Sequence, residues 1–137
     1  MSILVTSDEA ICNAYEDDPE SLRLSLAQFS ATLINGTVTA SNTGANSPFD
    51  VRHYQKKTVY VSTTTNCNVY VKGGVSSDDM YFLKTGSEGG TEDEDLLWNC
   101  SNEMIAFSVD SHLNYIQIVV DETAGSDSTV KVEISGG

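Results

Sequence analysis

The sequence predicts an all-β fold, an antiparallel β-sandwich of the jelly-roll kind. Eight to ten short segments alternate apolar and polar residues, which is the period of a strand with one buried face. Gly, Ser, Asn and Asp separate these segments, and no long stretch has a convincing helical period. Many short strands without helices are typical of sandwiches and jelly rolls. The 137 residues suffice for one domain.

The longest β-forming run, Leu113 to Asp121, is predicted to be a central strand. Every second residue in it is apolar and is expected to face the core. These inward residues are Ile116, Ile118 and Val120. Met104 to Asp110 before it and Thr129 to Ser135 after it alternate in the same way. We therefore expect three consecutive C-terminal strands that share one inner face.

Residues 1–20 are weakly patterned and end in the acidic, proline-containing run Glu16 to Glu20. They are predicted to form an N-terminal arm, and residues 21–137 a single sandwich domain. The arm's apolar groups are too few for a core of their own, so they are assigned to partner binding. They are Ile3, Leu4, Val5, Ile11 and Tyr15. The next segment, around Leu22, fits a strand better than the alternative, a helix beginning at Pro19.

Two hairpins are predicted in the middle of the chain. Asn35-Gly36, between Thr-rich flanks, is the dipeptide that a type I′ turn selects. After a loop at 41–48 and a short strand from Phe49 to Tyr54, the near-identical segments Thr58 to Ser62 and Asn68 to Lys72 suggest a second hairpin. Its end is placed at Gly73-Gly74, where two adjacent glycines interrupt the alternation.

Beyond this hairpin the sequence predicts one strand and one long loop. Met80 to Lys84 contains two aromatic residues and is assigned to a strand. Thr85 to Asp95 holds five acidic residues and three glycines, with no group that could anchor it in a core. We predict a mobile loop that is pinned where Trp98 begins the next apolar run.

The charge balance excludes some partners. Twenty acidic and seven basic residues give a net charge of −13, which argues against nucleic acid, since phosphate contacts need Lys and Arg clusters. The basic cluster Arg52, His53, Lys56 and Lys57 is interpreted as a solvated strand edge. The first residues show neither the basic leader nor the apolar run of a signal peptide, and no later run approaches membrane-spanning length, so neither secretion nor a membrane partner is expected. Three widely spaced cysteines are expected to be free, buried thiols.

The sequence contains no catalytic motif, and we expect neither an enzyme nor a bound cofactor. His53 and His112 are the two histidines, and neither lies in a recognisable motif. Calcium is the one cation considered, because Asp78-Asp79 and Glu92 to Asp95 lie in loops rich in Gly and Ser. Consecutive acidic residues cannot all turn toward one ion, so no metal site is predicted.

Exposed tyrosines offer an alternative function. If Tyr60 and Tyr70 pair across the second predicted hairpin, they lie on one face and could stack on sugar rings. The chain would then be a carbohydrate-binding module, or a tail or adhesin domain, with a calcium ion ordering a loop. A cross-strand aromatic pair that covers the second sheet face accounts for the same residues.

Paired Val-Tyr-Val strands, a Trp-bearing acidic excursion and three alternating C-terminal strands follow one another over residues 56–135. This order of features resembles small β-sandwich virion proteins of tailed viruses, including capsid decoration, or cement, proteins and tail appendages. The resemblance implies a virion protein, made in the host cytoplasm, that clamps subunits of the major capsid protein, often as a homo-oligomer. Burial of an interface, without chemistry, would be its mechanism.

Overall fold

The computed structural model describes residues 28–85 and 94–137. The predicted N-terminal arm, the Leu22 segment and the middle of the acidic loop lie outside the described residues. The described part contains twelve strands. They are β1 Phe29–Val38, β2 Thr43–Ala45, β3 Phe49–Asp50, β4 Lys57–Ser62, β5 Asn66–Ser76, β6 Asp79–Phe82, β7 Lys84–Thr85, β8 Glu94–Asp95, β9 Leu97–Ser101, β10 Met104–Val109, β11 Tyr115–Glu122 and β12 Ser128–Gly136.

The strands form two antiparallel sheets that enclose one core. The first sheet has the order β1-β12-β4-β10. In the second, β2 and β3 share one side of β11, β5 lies on its other side, and β6 and β9 share the far side of β5. If β2–β3 and β6–β9 each count as one interrupted strand, the orders are 1-8-3-6 and 2-7-4-5. This is the jelly-roll arrangement of two interlocked Greek keys, so the predicted fold class is confirmed.

The predicted inward face of β11 is confirmed, because Ile116, Ile118 and Val120 are all fully buried. The facing layer comes from alternate residues of β4, β10 and β12 in the first sheet. These are Val59, Val61, Phe107, Val109, Val130, Val132 and Ile134. The three C-terminal strands thus line one core from opposite sheets. Their shared inner face is the interior of the sandwich and not one side of a single sheet.

The hairpin predicted at Asn35-Gly36 is wrong. β1 runs straight through this dipeptide, and Gly36 pairs with Val130 of β12. Among the described residues only Ser41, Asn102 and Gly125 have positive φ angles, whereas a type I′ turn needs positive φ at both central residues. The long ladder with β12 places Val38 in the core. A hairpin that turned at Asn35-Gly36 would lose both this burial and the hydrogen bonds of the ladder beyond the turn.

The second predicted hairpin is also wrong, although both of its strands exist. β4 pairs with β10 and β12, while β5 pairs with β11, β6 and β9. The connection at residues 63–65 therefore crosses from one sheet to the other. Gly73-Gly74 does not end β5 but lies within it. A Cβ at Gly73 would meet Leu113 at 2.6 Å, and one at Gly74 would collide with the carbonyl oxygen of Asp79.

The short strand predicted from Phe49 to Tyr54 begins as expected but ends at Asp50 as β3, and β2 lies within the loop predicted at 41–48. A break separates β2 from β3. The backbone N–H of Ile118 faces this break and donates to Oδ1 of Asn46 at 2.7 Å. Gln117 Nε2 donates to the Asn46 carbonyl at the same distance. Asn46 thus supplies the ladder partners that the interrupted strand lacks, which keeps the buried backbone of β11 satisfied.

Trp98 packs into the sandwich as the sequence predicts. It lies on β9 and stacks on Phe107 of β10, with ring centroids 3.7 Å apart and planes 10° apart. β9 belongs to the second sheet and β10 to the first, so this pair closes the core between the sheets. The last two residues of the acidic segment, Glu94 and Asp95, form β8, which pairs with β7.

Candidate interaction surface

A buried lysine closes one end of the sandwich. Lys57 is 1% exposed, and its Nζ donates to the carbonyls of Tyr54, Gln55 and Ser111 at 3.2, 3.1 and 2.9 Å. Burial lowers the pKa of Lys57, and the nearby charge of Asp110 opposes that shift. All three ammonium hydrogens have acceptors, so Lys57 joins the loop before β4 to the loop before β11.

A buried carboxylate closes the other end. Glu122, at the end of β11, is 2% exposed. It accepts hydrogen bonds from the backbone N–H groups of Ser41, Ala124 and Gly125, at 2.8, 2.7 and 3.0 Å, and from the Thr65 hydroxyl at 2.9 Å. These donors, Ser41 foremost, hold the pKa of Glu122 below its ordinary value. Three separate connections of the jelly roll therefore meet on one side chain.

The basic cluster predicted as a solvated strand edge is dispersed by the fold. Lys57 points into the sandwich, and Arg52 is engaged by two side chains. Its Nε lies 3.0 Å from Asp50 Oδ1, and its other end donates to the Tyr115 hydroxyl at 2.7 Å. The backbone N–H of Arg52, which donates to Asp50 Oδ1 at 3.0 Å, lowers the pKa of Asp50, and the Arg52 side chain adds to this shift. The hydrogen bond between the two side chains raises the pKa of Arg52. These residues build no basic patch.

The outer surface of the first sheet is a regular face built by four adjacent strands. We call it the neutral face. Its side chains alternate with the core residues of β1, β12, β4 and β10. They are Ser30, Thr32, Asn35, Thr37, Thr58, Tyr60, Ser62, Met104, Ala106, Ser108, Thr129, Lys131, Glu133 and Ser135.

The neutral face carries no net charge on a chain whose net charge is −13. Lys131 and Glu133 are its two charged side chains, and they pair with each other, with Nζ 3.7 Å from Oε2. The other acidic residues of the described part lie in loops or on strands outside this sheet. Small Ser, Thr and Ala side chains cover the rest, so another protein surface can approach without electrostatic repulsion.

Two larger side chains rise from the neutral face. Met104 is 83% exposed at the β10 edge, and Tyr60 is 44% exposed near the centre. The Tyr60 hydroxyl lies 3.1 Å from Ser135 Oγ, and a shallow depression lies on either side of the ring. An exposed methionine beside a central tyrosine is typical of protein contact surfaces, where Tyr and Met are enriched.

The two tyrosines considered for sugar stacking are not brought together. Tyr60 lies on the neutral face, whereas Tyr70 points outward from the second sheet and meets Phe82 edge-on, with centroids 5.9 Å apart. The sandwich separates them, because the predicted hairpin that would have aligned them does not form. A two-tyrosine platform is therefore absent from the described part of a single chain.

The remaining predicted positions are scattered or lie outside the described residues. The five arm residues assigned to partner binding, Glu92, Asp93 and Cys12 fall in the undescribed segments. Cys67 and Cys100 are buried free thiols, as the sequence predicts for them, and burial raises the pKa of Cys100. Within 28–85 and 94–137 no three His, Cys, Asp or Glu side chains gather as around a metal ion, and no helix has the length and hydropathy of a membrane span.

The sequence matches no family model and no curated protein. Solved structures share the fold, and two of them superpose over most of this chain. The PBSX exported protein XepA superposes with a TM-score of 0.60 at 10% identity, over 80% of this chain but only 37% of its own length. The SPBc2 prophage-derived protein YomS superposes with a TM-score of 0.51 at 18% identity, over 80% of this chain and 93% of its own.

These similarities confirm, at the level of the fold, the resemblance to small β-sandwich proteins of tailed viruses. YomS is matched over nearly its whole length, whereas this chain spans little more than a third of XepA. The jelly roll thus matches nearly the whole of YomS and only one portion of XepA.

Sequence reasoning missed the neutral face, although the signal was present. The outward positions of β1, β4, β10 and β12 hold Ser, Thr and Ala where a solvent-exposed strand of so acidic a chain would be expected to carry Asp or Glu. Recognising the face required knowing that these four strands are neighbours, and their order in the sheet differs from their order in the chain.

Proposed function

We propose that this chain is a structural protein of a tailed-virus particle that decorates the outside of the capsid. The neutral face carries this proposal, because a broad strand surface without net charge, on a chain whose net charge is −13, suits a protein that assembles with other protein copies better than one whose sheets face solvent. The jelly roll shared with a prophage-derived protein supports the viral setting. The work of the chain is interface burial at the virion surface, and the major capsid protein is its partner.

The position of the N-terminal segment supports attachment. The described chain starts at Gln28, directly before β1, which is an edge strand of the sheet that bears the neutral face. The 27 residues ahead of it can reach about 90 Å at most when extended, enough to contact a capsid subunit beside the domain. Ile3, Leu4 and Val5 then supply apolar area to that contact, with Ile11 and Tyr15 further along.

Replacing Ile3, Leu4 and Val5 together by Ser in the full-length chain should weaken binding to capsids more than tenfold. The loss corresponds to at least about 1.4 kcal/mol, which is modest for three apolar side chains removed from an interface. Co-sedimentation with empty capsids of the encoding virus over a range of protein concentrations measures it. The melting temperature should stay within a few degrees, because the jelly roll is unchanged.

A matched control substitutes Val75 and Leu97, both exposed on the second sheet, by Ser in the same protein. This variant should bind capsids like the unmodified chain. If the arm variant bound capsids as tightly as the unmodified chain, the arm would not be part of the attachment site. Full-length protein that ignores capsids but binds a glycan array would replace decoration with the carbohydrate-binding alternative.

A further inference from the structure

Two neighbouring rows of side chains on the neutral face are complementary in charge and in size. Along β12, Lys131 and Glu133 both point outward, two residues apart. The strand register extends each of them into a row across the sheet. The Lys131 row holds Met104, Ser62, Lys131 and Asn35, and the Glu133 row holds Ala106, Tyr60, Glu133 and Thr32. In three of the four strands a large or charged group in one row stands beside a small or oppositely charged group in the other.

This pattern fits two neutral faces stacked on each other and related by a two-fold axis. The axis lies between the two faces, perpendicular to their strands, at the level of Val132. Rotation about it places the Lys131 row of one copy over the Glu133 row of the other without shifting any strand sideways. Lys131 then faces Glu133 of the second copy, Met104 faces Ala106, and Tyr60 faces Ser62. Both halves of the contact are equivalent, as a two-fold interface requires.

From this geometry we infer that the neutral face is where a second copy of this chain packs, in an antiparallel face-to-face pair. Charge complementarity favours this occupant, because a second copy offers Glu133 to Lys131 and Lys131 to Glu133. Each chain has a net charge of −13, so two copies repel wherever their acidic residues face each other. The neutral face lets them approach, and its one ion pair can be exchanged between copies. The inference names a second copy as the occupant of the neutral face and leaves capsid attachment to the N-terminal segment.

The size of the face sets the expected strength. Four strands spaced about 4.8 Å and about six residues of about 3.3 Å rise give an outline of about 20 by 20 Å, or about 400 Å². A stable interface usually buries about 800 Å² per partner. The pair should therefore be weak and depend on protein concentration, with further stabilisation where a particle holds many copies close together.

Charge reversal separates this contact from general repulsion. Lys131→Glu and Glu133→Lys should each raise the dimer dissociation constant at least about tenfold, because symmetry turns every reversal into two like-charge contacts. The double variant Lys131→Glu/Glu133→Lys should return to within about threefold of the unmodified chain. Sedimentation equilibrium of the isolated full-length protein at about 0.15 M salt, without capsids, measures all four constants.

Net charge alone predicts a different order. Glu133→Lys lowers the total negative charge, so it would strengthen association if repulsion were the only term, and that result would overturn the inference. An unmodified chain that stays monomeric up to about 1 mM would overturn it as well. Ala106→Glu on the neutral face and Val75→Glu on the second sheet add the same charge. Only the first should weaken the dimer, and equal effects would also refute the assignment.

The sedimentation experiment contains no capsid, so a negative result would refute the dimer without refuting capsid decoration. A protein that dimerises but does not bind capsids would refute decoration without refuting the dimer. All of the changed side chains are exposed, so each variant should melt within a few degrees of the unmodified chain. A variant that melts much earlier is replaced by its neutral counterpart, Lys131→Gln or Glu133→Gln, for which a smaller weakening of the dimer is expected and an unchanged constant counts against the contact.

Discussion

Ile118→Asp should yield no folded protein. Ile118 lies at the centre of β11, fully buried between the two sheets. The substitution removes about 1.5 to 3 kcal/mol of side-chain burial and leaves a carboxylate unpaired in an apolar layer, at a further cost of several kcal/mol. Domains of this size are stable by about 5 to 15 kcal/mol, so the sum consumes most or all of the stability. Soluble expression and far-ultraviolet circular dichroism measure the outcome.

The matched control is Ile118→Val, which removes one methylene group at the same site. It should fold and lose about 0.5 to 1.5 kcal/mol in the free energy of unfolding. A soluble Ile118→Asp protein that melts cooperatively would mean that the side chain faces outward. The register of β11 would then be wrong by one residue, which moves every side chain of a strand to the other face.

Acidification should destabilise the protein through Glu122. The carboxylate has a folded-state pKa below the unfolded-state value of about 4.3. Its stabilisation is therefore fully present above about pH 4.3 and is lost as the pH falls through the folded-state value. Glu122→Gln keeps the shape of the side chain but cannot accept four hydrogen bonds as a charged group. We expect its melting temperature at pH 7 to fall by at least about 5 °C.

In the same variant the melting temperature should fall less steeply as the pH is lowered. Fluorescence of Trp98, the one tryptophan of the chain, follows melting between pH 7 and pH 3, because unfolding separates it from Phe107. Glu133→Gln serves as the control, since Glu133 is half-exposed with an exposed partner, and its melting temperature should fall with pH as steeply as that of the unmodified chain. If Glu122→Gln had the melting temperature and pH profile of the unmodified chain, the carboxylate would not hold the three connections together.

The predicted strand pattern agrees with the structure where the signal is local. Alternation identified the inward residues of β10, β11 and β12, and the boundaries of these strands agree within two residues. The Val-Tyr-Val segments are strands for the same reason. Burial of one face fixes the period of a strand whatever its partners are, so this part of the fold could be predicted residue by residue.

The pairing of the strands could not be predicted in this way. Asn35-Gly36 has the composition of a tight turn, yet β1 continues through it because β12, about a hundred residues later, offers a full ladder. Turn composition records only the preference of a few residues. Non-local hydrogen bonding and core burial outweigh it whenever a strand finds a longer partner.

The sequence by itself determined the fold class, the inward residues of the main strands and the packing of Trp98 against the core, since each depends on the period or the size of nearby side chains. Only the tertiary structure decided which strands share a sheet, and with that the neutral face, the separation of Tyr60 from Tyr70, and the burial of Lys57 and Glu122. A charged residue is buried when several connections distant in sequence bring enough hydrogen-bonding groups to one point. That condition is a property of the assembled jelly roll, because Ser41, Thr65 and Gly125 meet Glu122 only after both sheets have formed.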